Sequence, residues 1–192
     1  MTEKNQAALD FLLSRRSTPI PALKAPTPTR EELTTILTAA ARSPDHGKLE
    51  PWRFVVLEKP ALERVAQAIA KRGPELGIEQ AKIDKPVGVY GNSPLAVVVV
   101  QNTKESDKVP AIEQTYSAGA VCLSLVNAAM AMGFGANWVS NWFSHDKQFR
   151  EEVFGLTADE TVAGIIHLGT PSATTPDRPR PDLNQITTWV AE

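Results

Sequence analysis

The feature that most constrains this chain is the stretch from Ile112 to Met132, which contains no proline and has Glu113 as its sole charged residue. A helix of that length with so little charge has no broad face to offer water. It is therefore read as a buried helix and a candidate dimer interface.

Around it the apolar pattern alternates between strand and helix. Leu95 to Val100 is a continuous valine-rich run, short enough to be a strand covered on both faces at the centre of a sheet. Trp52–Leu57, Phe134–Ser140 and Thr161–Leu168 read as further strands. Helices are predicted over Gln6–Ser14, from Thr29 to Arg42, over Pro60–Lys71 and over Asp146–Phe154; Thr29 and Glu32 have the spacing of a capping box.

Between Thr18 and Pro28 the prolines at 19, 21, 26 and 28 predict an extended loop, and Ser43–Pro51 predicts a polar one. Arg72–Pro94 has a weak pattern with glycine, proline and charge, is longer than a normal connector, and reads as a candidate substrate lid. The proline-rich tail from Thr170 is expected to wrap a surface. Strands separated by helices of uneven length give an α+β or mixed α/β sheet without settling strand order.

At 192 residues the chain is expected to form a single domain over residues 1–192. The formal net charge is −2 and the two signs are interspersed, so neither a nucleic-acid nor a membrane partner is expected. A small molecule or a second copy of the chain is expected instead. Cys122 is the sole cysteine, which excludes an internal disulfide and a thiolate metal cage and suits a reducing compartment. Met1–Asp10 lacks the apolar run of a secretory signal, and no run approaches the roughly 20 continuous apolar residues of a membrane span. Cytoplasmic residence is the expectation.

Several chemistries fail on their residues. Gly133 and Gly135 approach a dinucleotide fingerprint, but Trp138 stands where the third glycine belongs. No phosphate-loop motif exists, and Ser117 lacks the first glycine of a nucleophile elbow. His46, His145 and His167 are too scattered for a ligand motif, so no metal is expected, and no residue is assigned as a catalytic acid, base or nucleophile. A site with a bound redox cofactor needs none of these, because the cofactor carries the chemistry.

A phosphate dianion calls for forked cationic donors, which arginine supplies. Such donors stand near both ends of the chain: Arg15-Arg16-Ser17 after the first helix, and Arg178-Pro179-Arg180-Pro181 in the tail, where the prolines keep the backbone extended. Either pair alone is equally a solvated surface cluster. Two further segments follow in order: Ala41-Arg42-Ser43-Pro44-Asp45-His46 leading to Pro51-Trp52-Arg53-Phe54, and Gly133-Phe134-Gly135-Ala136-Asn137-Trp138. With Lys108-Val109-Pro110, Glu113-Gln114, Ser117-Ala118-Gly119 and Leu168-Gly169-Thr170-Pro171, this order resembles the nitroreductase family, and within it a subgroup of small single-domain flavoproteins.

The resemblance implies an α+β fold with a mixed, mainly antiparallel central sheet flanked by helices. It also implies an intertwined homodimer with non-covalent FMN between the subunits and NAD(P)H as reductant. By the family pattern Arg15, Arg16 and Ser17 contact the FMN phosphate, ribityl chain and pyrimidine edge, and Arg178 and Arg180 close on the phosphate. Arg42 and His46 reach the cofactor held mainly by the other subunit, while Trp138, Val139 and Ser140 line it from the first. Hydride would pass through the flavin to a nitroaromatic, a quinone or a similar electron-poor acceptor in ping-pong fashion. Specialised flavin chemistry, such as reductive dehalogenation or flavin breakdown, and a non-enzymatic flavin-binding role remain alternatives. The subgroup often has an arginine after the tryptophan; this chain has Val139 there. Taken singly, Trp138 and Trp52 could be core aromatics, His46 a solvated loop residue, and Gly133 a helix terminator.

Overall fold

Alternation along one strand sets the layers of the fold, which a computed structural model describes for residues 3–191. β3 (Leu95–Gln101) is buried along nearly its whole length, with β2 (Trp52–Glu58) on one side and β5 (Thr161–Pro171) on the other. Beyond β3, β5 pairs with β4 (Gly135–Val139) and, at its far end, with β1 (Leu23–Lys24). Every pairing among the described residues is antiparallel.

Because successive side chains point to opposite faces, Ala96, Val98 and Val100 pack with α3 (Lys59–Glu75), α4 (Gln80–Asn92) and α6 (Lys147–Phe154). Leu95, Val97 and Val99 pack with α2 (Arg30–Ala40) and α5 (Ala111–Ala131) on the other face. The sheet thus lies between two helical layers, and its antiparallel pairing makes the architecture α+β. The valine-rich run is its central strand for the expected reason: both faces are covered.

The capping box forms as read. Thr29 N–H donates to Glu32 Oε2 at 2.8 Å and Glu32 N–H donates to Thr29 Oγ1 at 3.2 Å. α5 buries Ala118, Val121, Cys122, Leu125 and Ala129 against the sheet, and burial pushes the Cys122 thiol up to about 12. Its opposite side leaves Ile112, Tyr116 and Leu123 exposed. The expected cover is therefore present on one side of this helix within the chain.

The expected lid over residues 72–94 is not a loop. α3 continues to Glu75 and α4 occupies Gln80–Asn92, the two packed side by side. Glycine and proline misled because their roles here are tertiary. A Cβ on Gly73 would fall 2.5 Å from the Ile83 side chain, so its absence lets the helices approach. Pro86 lacks the N–H that would bond the Lys82 carbonyl, and Trp142 Nε1 donates to that carbonyl at 3.3 Å instead. Arg72 adds a clamp, donating to both carboxylate oxygens of Asp146 at 3.0 and 3.1 Å and to Glu75 at 3.0 Å. Asp146 in turn accepts from Phe149 N–H at the start of α6.

Among the described residues no helix is long and apolar enough to cross a membrane.

Candidate functional site

The site begins where two elements end. α5 closes on Gly133, whose φ of +88° is left-handed; Gly133 N–H donates to the Met130 carbonyl and Phe134 N–H to that of Ala129, the paired bonds of a Schellman cap. This turn sends the chain directly into β4. α1 (Gln6–Ser14) ends on Arg15, whose N–H donates to the Phe11 carbonyl at 2.9 Å.

The segment after α1 is held against β4 by two bonds. Thr18 N–H donates to the Ala136 carbonyl at 3.0 Å, and Asn137 Nδ2 donates to the Thr18 carbonyl at 2.7 Å. Gly135 allows this closeness, since a Cβ there would lie 2.6 Å from Leu23 Cδ2 and 2.8 Å from Thr18 Oγ1. The result is an open cavity of about 620 Å³ lined by Arg15, Arg16, Phe134 and Gly135 and by Thr174 and Thr175 of the tail. Its size is that of a small-molecule site.

Charge in this cavity is uneven. The Nε of Arg15 is buried with no hydrogen-bond partner, and an unpartnered buried cationic donor is costly unless an anion meets it. Arg16 Nε donates to the Pro176 carbonyl at 3.1 Å and lies 3.7 Å from Asp177 Oδ1. Arg180 Nη2 donates to the same carboxylate at 2.8 Å. The Arg178 backbone N–H, reinforced by the charges of Arg180 and Arg16, holds the Asp177 carboxyl below its usual range. Ser17 is half-buried between Arg16 and Thr18, and Arg178 is exposed in the tail.

The structure therefore brings Arg15, Arg16 and Arg180 to one region although they lie at opposite ends of the sequence. Trp138 and Val139 sit further along β4 and Ser140 just past its end, with Trp138 about 10 Å from Gly135 at the usual rise per residue. Trp138 lies across Gly164 of β5, where a Cβ would overlap its indole. Val139 is half-buried against the core, and Ser140 is exposed.

Arg42 and His46 do not line this cavity. Both are exposed, in a loop that runs along α5 from Ser124 back to Glu113 in its first turn. Ser43 Oγ and Ser124 Oγ are 2.9 Å apart, Ser117 Oγ donates to the Pro44 carbonyl at 2.7 Å, and His46 Nδ1 is 2.7 Å from Glu113 Oε2. Glu113 and Met130, the latter on the cavity wall, are separated by about 25 Å of helix. That span separates His46 from the cavity of its own chain.

Asn137, Asp177 and Glu113 were not singled out from the sequence, although Asn137 and Glu113 stand inside quoted segments. Their significance lies in what they touch, and adjacent sequence carries no signal for it.

The Nitroreductase family model matches residues 12–170. Over 164 residues, covering 85% of this chain and 88% of the relative, the chain is 37% identical to the Escherichia coli (strain K12) protein named "Putative NAD(P)H nitroreductase YdjA". Its fold is similar to that of a nitroreductase-like family protein from Bacillus cereus, with a TM-score of 0.77 at 20% identity and all of both chains covered. It is also similar to an FMN-dependent nitroreductase from Clostridium difficile, with a TM-score of 0.69 at 21% identity over 96% of this chain and 99% of that one.

Proposed function

The chain belongs to the nitroreductase family, and on that footing we propose that it is an FMN-dependent NAD(P)H oxidoreductase, built as one domain over residues 1–192, that reduces small electron-poor acceptors such as nitroaromatics or quinones. The observation that carries this reading is the orphaned Nε of Arg15, buried at a ligand-sized open cavity that Arg16 also lines. Those residues fit a phosphorylated flavin, since a phosphate dianion supplies the missing acceptor.

In this reading Arg15, Arg16 and Ser17 bind the cofactor's phosphate, ribityl chain and pyrimidine edge, with Arg178 and Arg180 closing on the phosphate from the tail. Trp138, Val139 and Ser140 line the ring system. Bound FMN supplies a hydride relay between NAD(P)H and the acceptor, which use one site in turn. A guanidinium at the pyrimidine edge favours negative charge there, an electrostatic contribution that requires no proton-transferring side chain.

The site is shared between two copies. The roughly 25 Å of α5 between Glu113 and Met130 separates His46 from the Arg15 cavity of its own chain, so His46, with Arg42 in the same loop, serves a partner's cofactor. A two-fold axis that sets α5 antiparallel to its copy brings the His46 loop of one protomer to the cavity of the other. Such pairing covers apolar side chains that one chain leaves exposed: Leu12 and Leu13 on α1, Tyr116 and Leu123 on α5, and Trp189 and Val190 in the tail.

The test is spectroscopic. Purified protein, or protein incubated with FMN and then desalted, is expected to show the visible bands of a flavin and to bleach anaerobically on addition of NADH or NADPH. An added nitroaromatic or quinone restores the colour. Protein that stays colourless after incubation with FMN defeats the proposal, and a flavin that neither nicotinamide reduces leaves a binding protein rather than an oxidoreductase.

A further inference from the structure

The His46 loop has one contact that cofactor binding does not by itself require. His46 Nδ1 lies 2.7 Å from Glu113 Oε2, and His46 is the one hydrogen-bond partner recorded for that carboxylate among the described residues. Glu113 sits in the first turn of α5, a rigid element. The loop it meets is held in an unusual conformation: Gly47, Lys48 and Glu50 all have left-handed φ angles, of 76°, 55° and 47°. For Lys48 and Glu50 that conformation is strained, and strain of this kind persists where surrounding contacts over-determine the backbone. Here those contacts are the Ser43–Ser124 and Ser117–Pro44 bonds, Asp45 Oδ2 accepting from Glu50 N–H at 2.8 Å, and the His46–Glu113 pair.

A carboxylate only accepts hydrogen bonds. The proton of a neutral His46 facing Glu113 must then be on Nδ1, which leaves the Nε2 lone pair free on the other side of the ring. Which ring nitrogen carries the proton is set by the bond the other one makes, and the same logic governs outer partners that orient histidine ligands. We propose that Glu113 is a positioning residue of the flavin site: it fixes the orientation and tautomer of His46, so that Nε2 is the atom presented to the cofactor of the partner protomer. The inference rests on the FMN reading above and deepens it. It also gives a role to the Lys108–Gln114 segment, which the cofactor contacts leave unused.

A purely structural role would look different. An acidic residue in the first turn of a helix is stabilising in its own right, and a strap on the loop would change melting temperature alone. The discriminating measurements are the ring-nitrogen NMR spectrum of ¹⁵N-histidine-labelled protein, with His46 assigned through His46→Gln, and the FMN dissociation constant by fluorescence titration. Wild-type His46 is expected as the Nδ1–H tautomer. Glu113→Gln retains it, because the amide oxygen still accepts, and Glu113→Ala reverts to the Nε2–H form favoured by free imidazole. FMN affinity is expected to fall about three- to fivefold in Glu113→Ala, the scale of a part-exposed pair, and to stay within about twofold of wild type in Glu113→Gln. Adding Glu113→Ala to His46→Gln costs nothing more if the two act as a unit.

An Nε2–H tautomer in the wild type overturns the proposal, as does unchanged FMN affinity in Glu113→Ala when the wild type binds FMN. If the wild type takes up no FMN, the functional reading itself falls and this inference falls with it. The NMR spectrum then still records whether the pair forms, which keeps the two failures apart.

Discussion

Arg16 Nε donates to the carbonyl of Pro176, fastening the exit of the first helix to the tail, and the next residue, Asp177, stands 3.7 Å from the same guanidinium. Asp177 also takes Arg180, so one carboxylate sits among the cations proposed to grip a phosphate. A competing anion at that place weakens the ligand. Asp177→Asn is expected to tighten FMN binding by about two- to fivefold at low salt, with the gain shrinking as ionic strength rises. Fluorescence titration at two salt concentrations checks this; weaker binding would mean that Asp177 supports the site by ordering the tail.

Arg15 and Arg178 separate the half-buried anchor from the exposed one. Arg15→Ala removes a buried charge-assisted donor and is expected to weaken FMN retention by about 10- to 100-fold, while Arg178→Ala has a smaller effect. Circular dichroism should show both variants folded. Unchanged FMN affinity in both would remove the arginines from the site.

Arg53 and Glu160 set the acid limit of the fold. Arg53 donates to both oxygens of Glu160 at 2.6 Å, and this bond, helped by Thr157 N–H, lowers the Glu160 carboxyl to about 2. A depressed carboxylate contributes stability that is complete above its ordinary value of 4.5 and is lost as pH falls through about 2. Glu160→Gln is expected to cost about 2 kcal/mol at pH 7 and progressively less below pH about 4. Urea melts across that range measure it, and a constant difference would contradict the assignment.

His167 acts in an adjoining window. It is fully buried on β5, bonded through Nδ1 to Ser93 Oγ at 2.7 Å and packed edge-on against Tyr90, and burial lowers its imidazole to about 3 from 6.5. The unfolded chain therefore binds a proton that the folded chain refuses between those values. Its contribution is complete above pH 6.5 and declines on acidification by about 1.4 kcal/mol per pH unit. His167→Gln removes that slope between pH 6.5 and 4.5, where Glu160 has yet to titrate. Parallel stability curves for the two proteins would show that His167 protonates freely in the fold.

How much of this was legible in sequence depends on the range of the interaction. The central strand Leu95–Gln101, the Thr29–Glu32 cap and the long α5 were readable because each is decided by periodicity or by residues three or four apart. The helices across residues 72–94 were not. Gly73 and Pro86 carry loop signals locally, and only the Ile83 side chain and the Trp142 indole reveal why a helix tolerates them. The site divides in the same way: its cations were visible as residue types near both ends of the chain, whereas Asp177, Asn137 and Glu113 acquire meaning through their partners.

By itself, then, the order of residues determined most of the elements outside residues 72–94, the buried valine strand, the family and the supply of guanidinium groups, since these follow from local pattern and side-chain chemistry. Tertiary structure alone decided that Arg15 is left with an unmet donor beside a cavity, that Asp177 stands between Arg16 and Arg180, and that His46 lies at the far end of α5 from both. Those facts depend on which distant segments share a surface, and packing sets that by burying both faces of one sheet at once.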